Sequence, residues 1–539
     1  MLSQVIKNKV QLLWDRLWAG GLSNPITAID NISYLIFMKR LEKFHPKVND
    51  DYKWSTYNNL EGIELKNKIE SVFGFIQNDL SREGEPFAIE MKNARFGINT
   101  PSLLEEVVKI IDDIFSLVEA EEKKNQHFQD LLGDVYEYLL RATNEAGKNG
   151  QFRTPRHIIQ MMSELVNPNI DNIDTKICDV TSGSSGFLVG SYQYILKENS
   201  KVVTLDDDNQ LEKGLDGDKL TAKKKKQLNE SAFYGFDIDA TMVRIGMMNM
   251  MMHGIEKPHI INLNTISSEY ENFYYTARKK NFTQAQILKG EEKAYYEKIF
   301  PTLGKEEFSF ILANPPFAAK VNSKSISKNL NRIYEIKEDK AQSLQTELLF
   351  LERIVYMLKK NGKAAVVIPE GVLFNSGKAY KATREILLKD CDLEAVVSLP
   401  SGVFNPYTGV KTSILLFTKK QSDSDKYHTK KVWFYGMDSD GYTLDNSRRK
   451  IKNDFPLPET VKQYKTKDEK NNPQKDRKQK HFYVPVNKIQ ENGFELNYNL
   501  YKEFVFEEMQ YEEPAKLLKQ VLKIEEELFN SLKLLEKEF

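Results

Sequence analysis

From about residue 149 the chain repeats one texture, in which short β-branched and aromatic runs are each followed by a stretch of helical periodicity. The runs fall at 176–180, 233–238, 260–264, 308–313, 363–369, 394–399 and 413–417. Strands separated by helical segments pair through crossovers rather than tight hairpins, so the pattern predicts a doubly wound α/β core around a largely parallel sheet. Such sheets bind ligands outside the carboxyl ends of their strands. The residues that follow each run are therefore where chemistry is expected.

Before this texture begins, residues 1–141 show apolar residues at three-and-four spacing, as in 10–14, 29–41 and 103–115, which predicts an all-α region. The segment 31–44 is amphipathic, with Lys39, Arg40 and Lys43 near its end, where they suit the helix dipole and read as a solvated face. The expected division is a helical N-terminal domain at 1–145, a catalytic core at 146–425, an irregular extension at 426–512 and a helical tail at 513–539. In the tail, Leu517, Leu518, Val521, Leu522, Ile524, Leu528, Leu532 and Leu535 fall near one stripe among Lys and Glu, a face for a partner helix or for the chain's own body.

Charge narrows the function classes. The 539 residues carry 77 Lys plus Arg and 77 Asp plus Glu, so no whole-chain field draws in nucleic acid, and any DNA contact is local or supplied by a partner. Cys178 and Cys391 are too few for a disulfide framework and fit a reducing, cytoplasmic setting. No apolar run approaches the ~18 residues needed to cross a bilayer. The charged insert 204–229 reads as a solvated loop. Two long connections, 267–307 and 318–345, flank the chemistry and read as functional flaps or partly disordered segments.

The strongest chemical signal is Asn314-Pro315-Pro316-Phe317, directly after the run at 308–313. It suits methylation of an amino group on a planar ring, whose lone pair is delocalised and poorly nucleophilic. The Asn314 side-chain carbonyl and the Pro315 backbone carbonyl can each accept one amino hydrogen, favouring a tetrahedral nitrogen aimed at a sulfonium methyl. The prolines hold these acceptors rigid, and Phe317 offers a face for a base to stack on. The same tetrapeptide can also be a plain turn that ends a strand.

Upstream, Asp179-Val180-Thr181-Ser182-Gly183-Ser184-Ser185-Gly186-Phe187 leaves a strand through small residues and enters an apolar helix. Its glycines allow close backbone approach, and Asp179 can accept from a ligand ammonium. Asp237 closes the second run, where an acid can take both hydroxyls of a ribose. Gly150-Gln151-Phe152-Arg153-Thr154-Pro155-Arg156 precedes the first run, and its threonine hydroxyl and helix amides suit either a carboxylate or a simple helix cap. Together these would hold an adenosine with an amino-acid tail. The methionines after Asp237 (Met242, Met247, Met248, Met250, Met251, Met252) read as core filling, as does His253, and no cluster has metal-ligand spacing.

In order, these motifs resemble the modification (M) subunit of type I restriction–modification systems, an adenine-specific DNA methyltransferase. The resemblance also takes in residues 130–139 (DLLGDVYEYL), 347–352 (ELLFLE), 369–374 (PEGVLF) and 399–404 (LPSGVF), with cofactor motifs before the catalytic one, as in γ-type amino-methyltransferases. It implies a Rossmann-like methyltransferase core using S-adenosyl-L-methionine, with Asn314, Pro315, Pro316 and Phe317 catalytic. It also implies a cofactor pocket lined by Gln151, Phe152, Thr154, Pro155, Asp179, Thr181, Gly183, Ser184, Ser185, Gly186, Phe187, Asp237, Ile238, Asn264 and Thr265. The implied partners are double-stranded DNA, a separate specificity (S) subunit that chooses the sequence, a second M subunit so that two M clamp the DNA around one S and, in a complete system, a restriction (R) subunit; no membrane is involved. The family loop usually reads Asp-Pro-Ala-Cys-Gly, where this chain has Val180, Thr181 and Ser182, and Asn264 stands where an aspartate is frequent. Both departures predict weaker cofactor binding. The alternatives are a subunit that has lost turnover and serves as a DNA clamp or assembly module, and a protein glutamine methyltransferase, whose members are shorter and lack the helical regions at either end.

Overall fold

In the computed structural model, residues 2–536 are described except 125–130, 146–153, 203, 206–211, 214–215, 279–282, 284–285, 288, 335–340, 421–425, 455, 468–475 and 505–513. The N-terminal region is helical: α1 (Gln4–Ala19), α2 (Pro25–Phe44), α3 (Gly62–Phe75), α4 (Pro101–Lys124) and α5 (Leu131–Glu145). Asn24 starts α2 by accepting from the Ile26 and Thr27 amides, with Pro25 in the first turn, where a missing N–H costs nothing. The expected solvated face of α2 is not found. Arg40 is buried with its guanidinium against the Met252 sulfur, and Lys39 is ion-paired with Asp112, because helices cover α2 on nearly every side.

The core is one nine-stranded sheet: β1 (Ile177–Asp179), β2 (Phe233–Asp237), β3 (His259–Asn262), β4 (Phe308–Ala313), β5 (Leu358–Pro369), β6 (Cys391–Ser398), β7 (Thr412–Lys419), β8 (Lys431–Gly436) and β9 (His481–Pro485). Its order is β9-β8-β6-β7-β5-β4-β1-β2-β3. The strands β5-β4-β1-β2-β3 are parallel, β7 runs antiparallel to both β5 and β6, and β9 is antiparallel to β8. The sheet is therefore mixed. The stretch expected to be irregular, 426–512, supplies β8 and β9, whose signal the charged segments around them mask.

Around this sheet, α6 (Arg156–Val166), α7 (Gly186–Glu198) and α8 (Ala240–Met252) lie on one side. Alternate residues divide the core: Ala365 and Val367 of β5 join the cluster shared with the N-terminal helices, whereas Ala364, Val366 and Ile368 face the other side. Helix α8 packs on β2 and β3 and also on α2 and α5, so its buried methionines belong to both regions. At that seam Arg244 of α8 forms two hydrogen bonds with Asp30 of α2, at 3.0 and 2.6 Å, both residues being buried. The long connections also pack. Glu271, fully buried, accepts from Ser327 and Asn329 and pairs with Arg353 at 2.8 Å, tying both to the far side of the sheet.

Residues Met1–Tyr501 form one compact unit and Lys502–Phe539 another. The second contains the helix α9 (Pro514–Glu536), whose Leu517, Leu518, Val521, Leu522, Ile524, Leu528, Phe529 and Leu532 are all exposed. Among the described residues, no helix is long and apolar enough to cross a membrane.

Candidate active site

The chain passes from β1 outward to β2 and β3, then returns to place β4 on the other side of β1. This reversal opens a crevice at the strands' carboxyl ends, the usual ligand position in such sheets. A cavity of about 1140 Å³ lies there, large enough for a nucleoside cofactor and a base together.

Its floor comes from successive strand ends. Asp179 ends β1, Asp237 ends β2, Asn264 and Thr265 follow β3, and Asn314 follows β4. The loop after β1 is held open by backbone bonds. The Thr181 amide donates to Asp179 Oδ1 at 3.0 Å, the Gly183 amide to Asp237 Oδ2 at 2.9 Å and the Ser182 amide to the Phe236 carbonyl at 2.8 Å. Gly183 has φ +49°, and Ser185, with φ +61°, adopts the same left-handed region at a steric cost. Helix α8 supports this loop from below: Asn249 Nδ2 donates to the Ser184 carbonyl at 2.8 Å. A Cβ at Gly246 would lie 2.5 Å from Ser185 Oγ, so only glycine lets helix and loop meet this closely.

Burial pushes the Asp179 carboxyl up to about 8, opposed by the Thr181 amide and reinforced by nearby Asp237, whose own pKa burial also raises. Beside this acid pair, Thr181 Oγ1, Ser182 Oγ and Asn249 Oδ1 are buried without a hydrogen-bond partner. Ile238, 75% exposed, adds an apolar wall. Acids, unsatisfied hydroxyls and one apolar face fit a group with a ribose, an amino-acid end and a flat base.

The structure brings most of the expected residues together. Thr154, Pro155, Asp179, Thr181, Gly183, Ser184, Gly186, Phe187, Asp237, Ile238, Asn264, Thr265, Asn314, Pro315 and Pro316 all line the cavity. Ser185 does not; it is fully buried beneath the loop, facing α8. Phe317 also lies off the cavity wall, packed edge-to-face on Phe404 with centroids 6.1 Å apart. Asn264 Oδ1 accepts from the Ile266 amide, and the Thr265 hydroxyl turns to the Val180 carbonyl, so both hold the turn together. Gln151 and Phe152 lie outside the described residues. Thr154 accepts a hydrogen bond from Asn314 Nδ2 at 3.0 Å, while Asn314 Oδ1 is buried and unpartnered.

One wall has no counterpart in the sequence motifs. Asp440, whose side chain is inaccessible, binds His157 Nε2 at 2.8 Å and the Arg448 guanidinium, and Tyr442 stacks on His157 at 4.5 Å. Tyr442, Asn446, Ser447 and Arg448 thus close the cavity from the C-terminal extension. His157 and Asp440 are 283 residues apart, and no local pattern announces such a pair.

Residues 127–510 match the model of a family described as N-6 DNA methylase. Among curated proteins, the chain is 27% identical over 471 residues to the type I restriction enzyme EcoEI methylase subunit of Escherichia coli, covering 83% of this chain and 77% of that one. It is 27% identical over 447 residues to the StySPI methylase subunit of Salmonella potsdam, covering 80% and 70%. Among solved structures, a chain from work on assembly of the type I R-M system superposes with a TM-score of 0.63 at 21% identity, covering 99% of this chain and 98% of that one.

Proposed function

This chain belongs to the N-6 DNA methylase family, and from that premise we propose that it is the modification subunit of a type I restriction–modification assembly, methylating the exocyclic amino group of an adenine flipped out of DNA. The observation that carries the reading is Asn314 Oδ1, a buried acceptor without a partner at the end of β4, one strand from the acid pair. An orphaned acceptor costs about 1–3 kcal/mol, a cost that an incoming amino group would recover.

S-adenosyl-L-methionine, when bound, supplies an electrophilic sulfonium methyl. Asp237 is placed to accept from ribose hydroxyls, Ile238 to lie against the purine, and Asp179 with the Thr181–Ser184 turn to take the amino-acid end. Asn314 Oδ1 and the Pro315 carbonyl draw the two amino hydrogens of the target, pulling the lone pair out of conjugation and toward the methyl donor. The amino group of a paired adenine is inside the duplex, so the base must be extruded first, at a few kcal/mol. Phe317, braced on Phe404, is positioned to contribute stacking after a modest shift of the pair toward the cavity.

The partners follow from the same reading. A chain of zero net charge leaves sequence choice to a specificity subunit, and the exposed apolar stripe of α9 supplies a face for helices of that subunit. Double-stranded DNA, a second M subunit and a restriction subunit complete the expected set. Asn314→Ala in the assembled complex is expected to abolish adenine methylation, read by modified-base sequencing, while S-adenosyl-L-methionine affinity changes less than about threefold. Turnover near the parental rate would refute the assigned role.

A further inference from the structure

A side-chain amide at the end of a strand has two orientations of almost identical shape and opposite chemistry. One presents its oxygen to the target amino group and accepts a hydrogen. The other presents its NH2 group, which would face the amino hydrogens with hydrogens of its own. Something beside Asn314 must choose between them.

The neighbour that does so is Thr154, whose Oγ1 lies 3.0 Å from Asn314 Nδ2. With the amide as found, Nδ2 has an acceptor and Oδ1 is left open. In the reverse orientation the amino group would lose that acceptor, leaving buried N–H groups unpaired in place of one oxygen, which is the costlier arrangement. Thr154 is in turn held in place. Two residues on, Arg156 at the start of α6 reaches Glu137 at 2.7 Å and Asp134 at 3.4 Å, both on α5 of the N-terminal region. Helices α5 and α6 therefore fix the backbone from which the Thr154 hydroxyl reaches β4.

We propose that Thr154 is a positioning residue for methyl transfer, holding the Asn314 amide with its oxygen toward the target nitrogen. The inference rests on the adenine-methylating reading above. It differs from the role expected of Thr154 in sequence, a contact to the cofactor carboxylate, and the two roles separate kinetically.

The test uses the full chain assembled with its specificity partner. Thr154→Val keeps the shape and removes the hydroxyl. At saturating cofactor and DNA, kcat is expected to fall about tenfold to a hundredfold, the equivalent of one lost hydrogen bond to the reacting amide. The KM for DNA and the calorimetric Kd for S-adenosyl-L-methionine are expected to stay within about threefold, and Thr154→Ser to restore kcat to within about threefold. Thr154→Ala, which introduces no new bulk, serves if the valine variant misfolds and is expected to show the same loss. Full kcat in the valine or alanine variant at saturating cofactor overturns the proposal, as does a serine variant no faster than valine. Asn314→Ala run alongside separates the failures: if it is inactive while Thr154→Val is fully active, only the Thr154 role falls. If Asn314→Ala itself turns over, the methylation reading falls with it.

Discussion

Asp179 is fully buried at the end of β1, and loss of water around its carboxyl lifts the pKa from the ordinary 3.8 to about 8. The folded chain thus keeps a proton that the unfolded chain gives up near pH 4. The stability linked to that proton is complete below about 3.8 and drains away as pH rises through about 8. Asp179→Asn carries no such proton and should escape the loss. In the ligand-free chain, its Tm relative to the parent is therefore expected to climb steadily between pH 5 and pH 8; a pH-independent difference would mean that the carboxylate is already ionised in the fold. Residues at this scale are legible in sequence when their role depends on a strand end. Asp179, Asp237 and Asn314 are all visible as polar residues closing apolar runs. Thr154 is legible as a site residue but not in its hydrogen bond to Asn314, 160 positions away, and the His157–Asp440–Arg448 wall has no local signature at all.

At the scale of elements, α8 does more than fill the core. Its methionines are readable as packing, but a row of hydrophobic residues says nothing about the two small or polar positions between them, Gly246 and Asn249, that meet the cofactor loop. Asn249 is 2% exposed and holds the Ser184 carbonyl of a turn containing a non-glycine residue in the left-handed region. This support stands where proline and alanine stiffen the corresponding loop in relatives of the usual pattern. Asn249→Ala is expected to raise the calorimetric Kd for S-adenosyl-L-methionine about fivefold to tenfold, one hydrogen bond's worth, by loosening the turn. An unchanged Kd would show the turn to be self-supporting. The core strands are readable because β-branched runs carry their own signal, whereas the reversal of β7 is not, since a run of apolar residues has no direction. Strands β8 and β9 escape such a reading because a polar, charged sequence surrounds them.

For the molecule as a whole, the readable quantities are its length, its charge balance and the amphipathic tail. The eight exposed apolar residues of α9, from Leu517 to Leu532, form a stripe too long to be left in water without a purpose. Removing residues 514–539 is expected to leave S-adenosyl-L-methionine affinity unchanged while cutting co-purification of the specificity partner at least tenfold; full recovery of the partner would assign docking to another surface. The boundary expected near residue 145 marks a change of texture in the sequence but no gap in the solid, because a sequence shows where helices stop alternating with strands and not whether their surfaces fuse.

The Asp30–Arg244 pair carries a consequence for the chain's heredity. An acid from the first tenth of the polypeptide and a base from its middle neutralise each other in a place where either charge alone would be costly to bury. A gene split between the helical and catalytic regions would hand each product half of an ion pair and an open core face. Recombination that exchanges one region between relatives must therefore bring a matching residue with it or forfeit stability, so the two regions are bound to be inherited together.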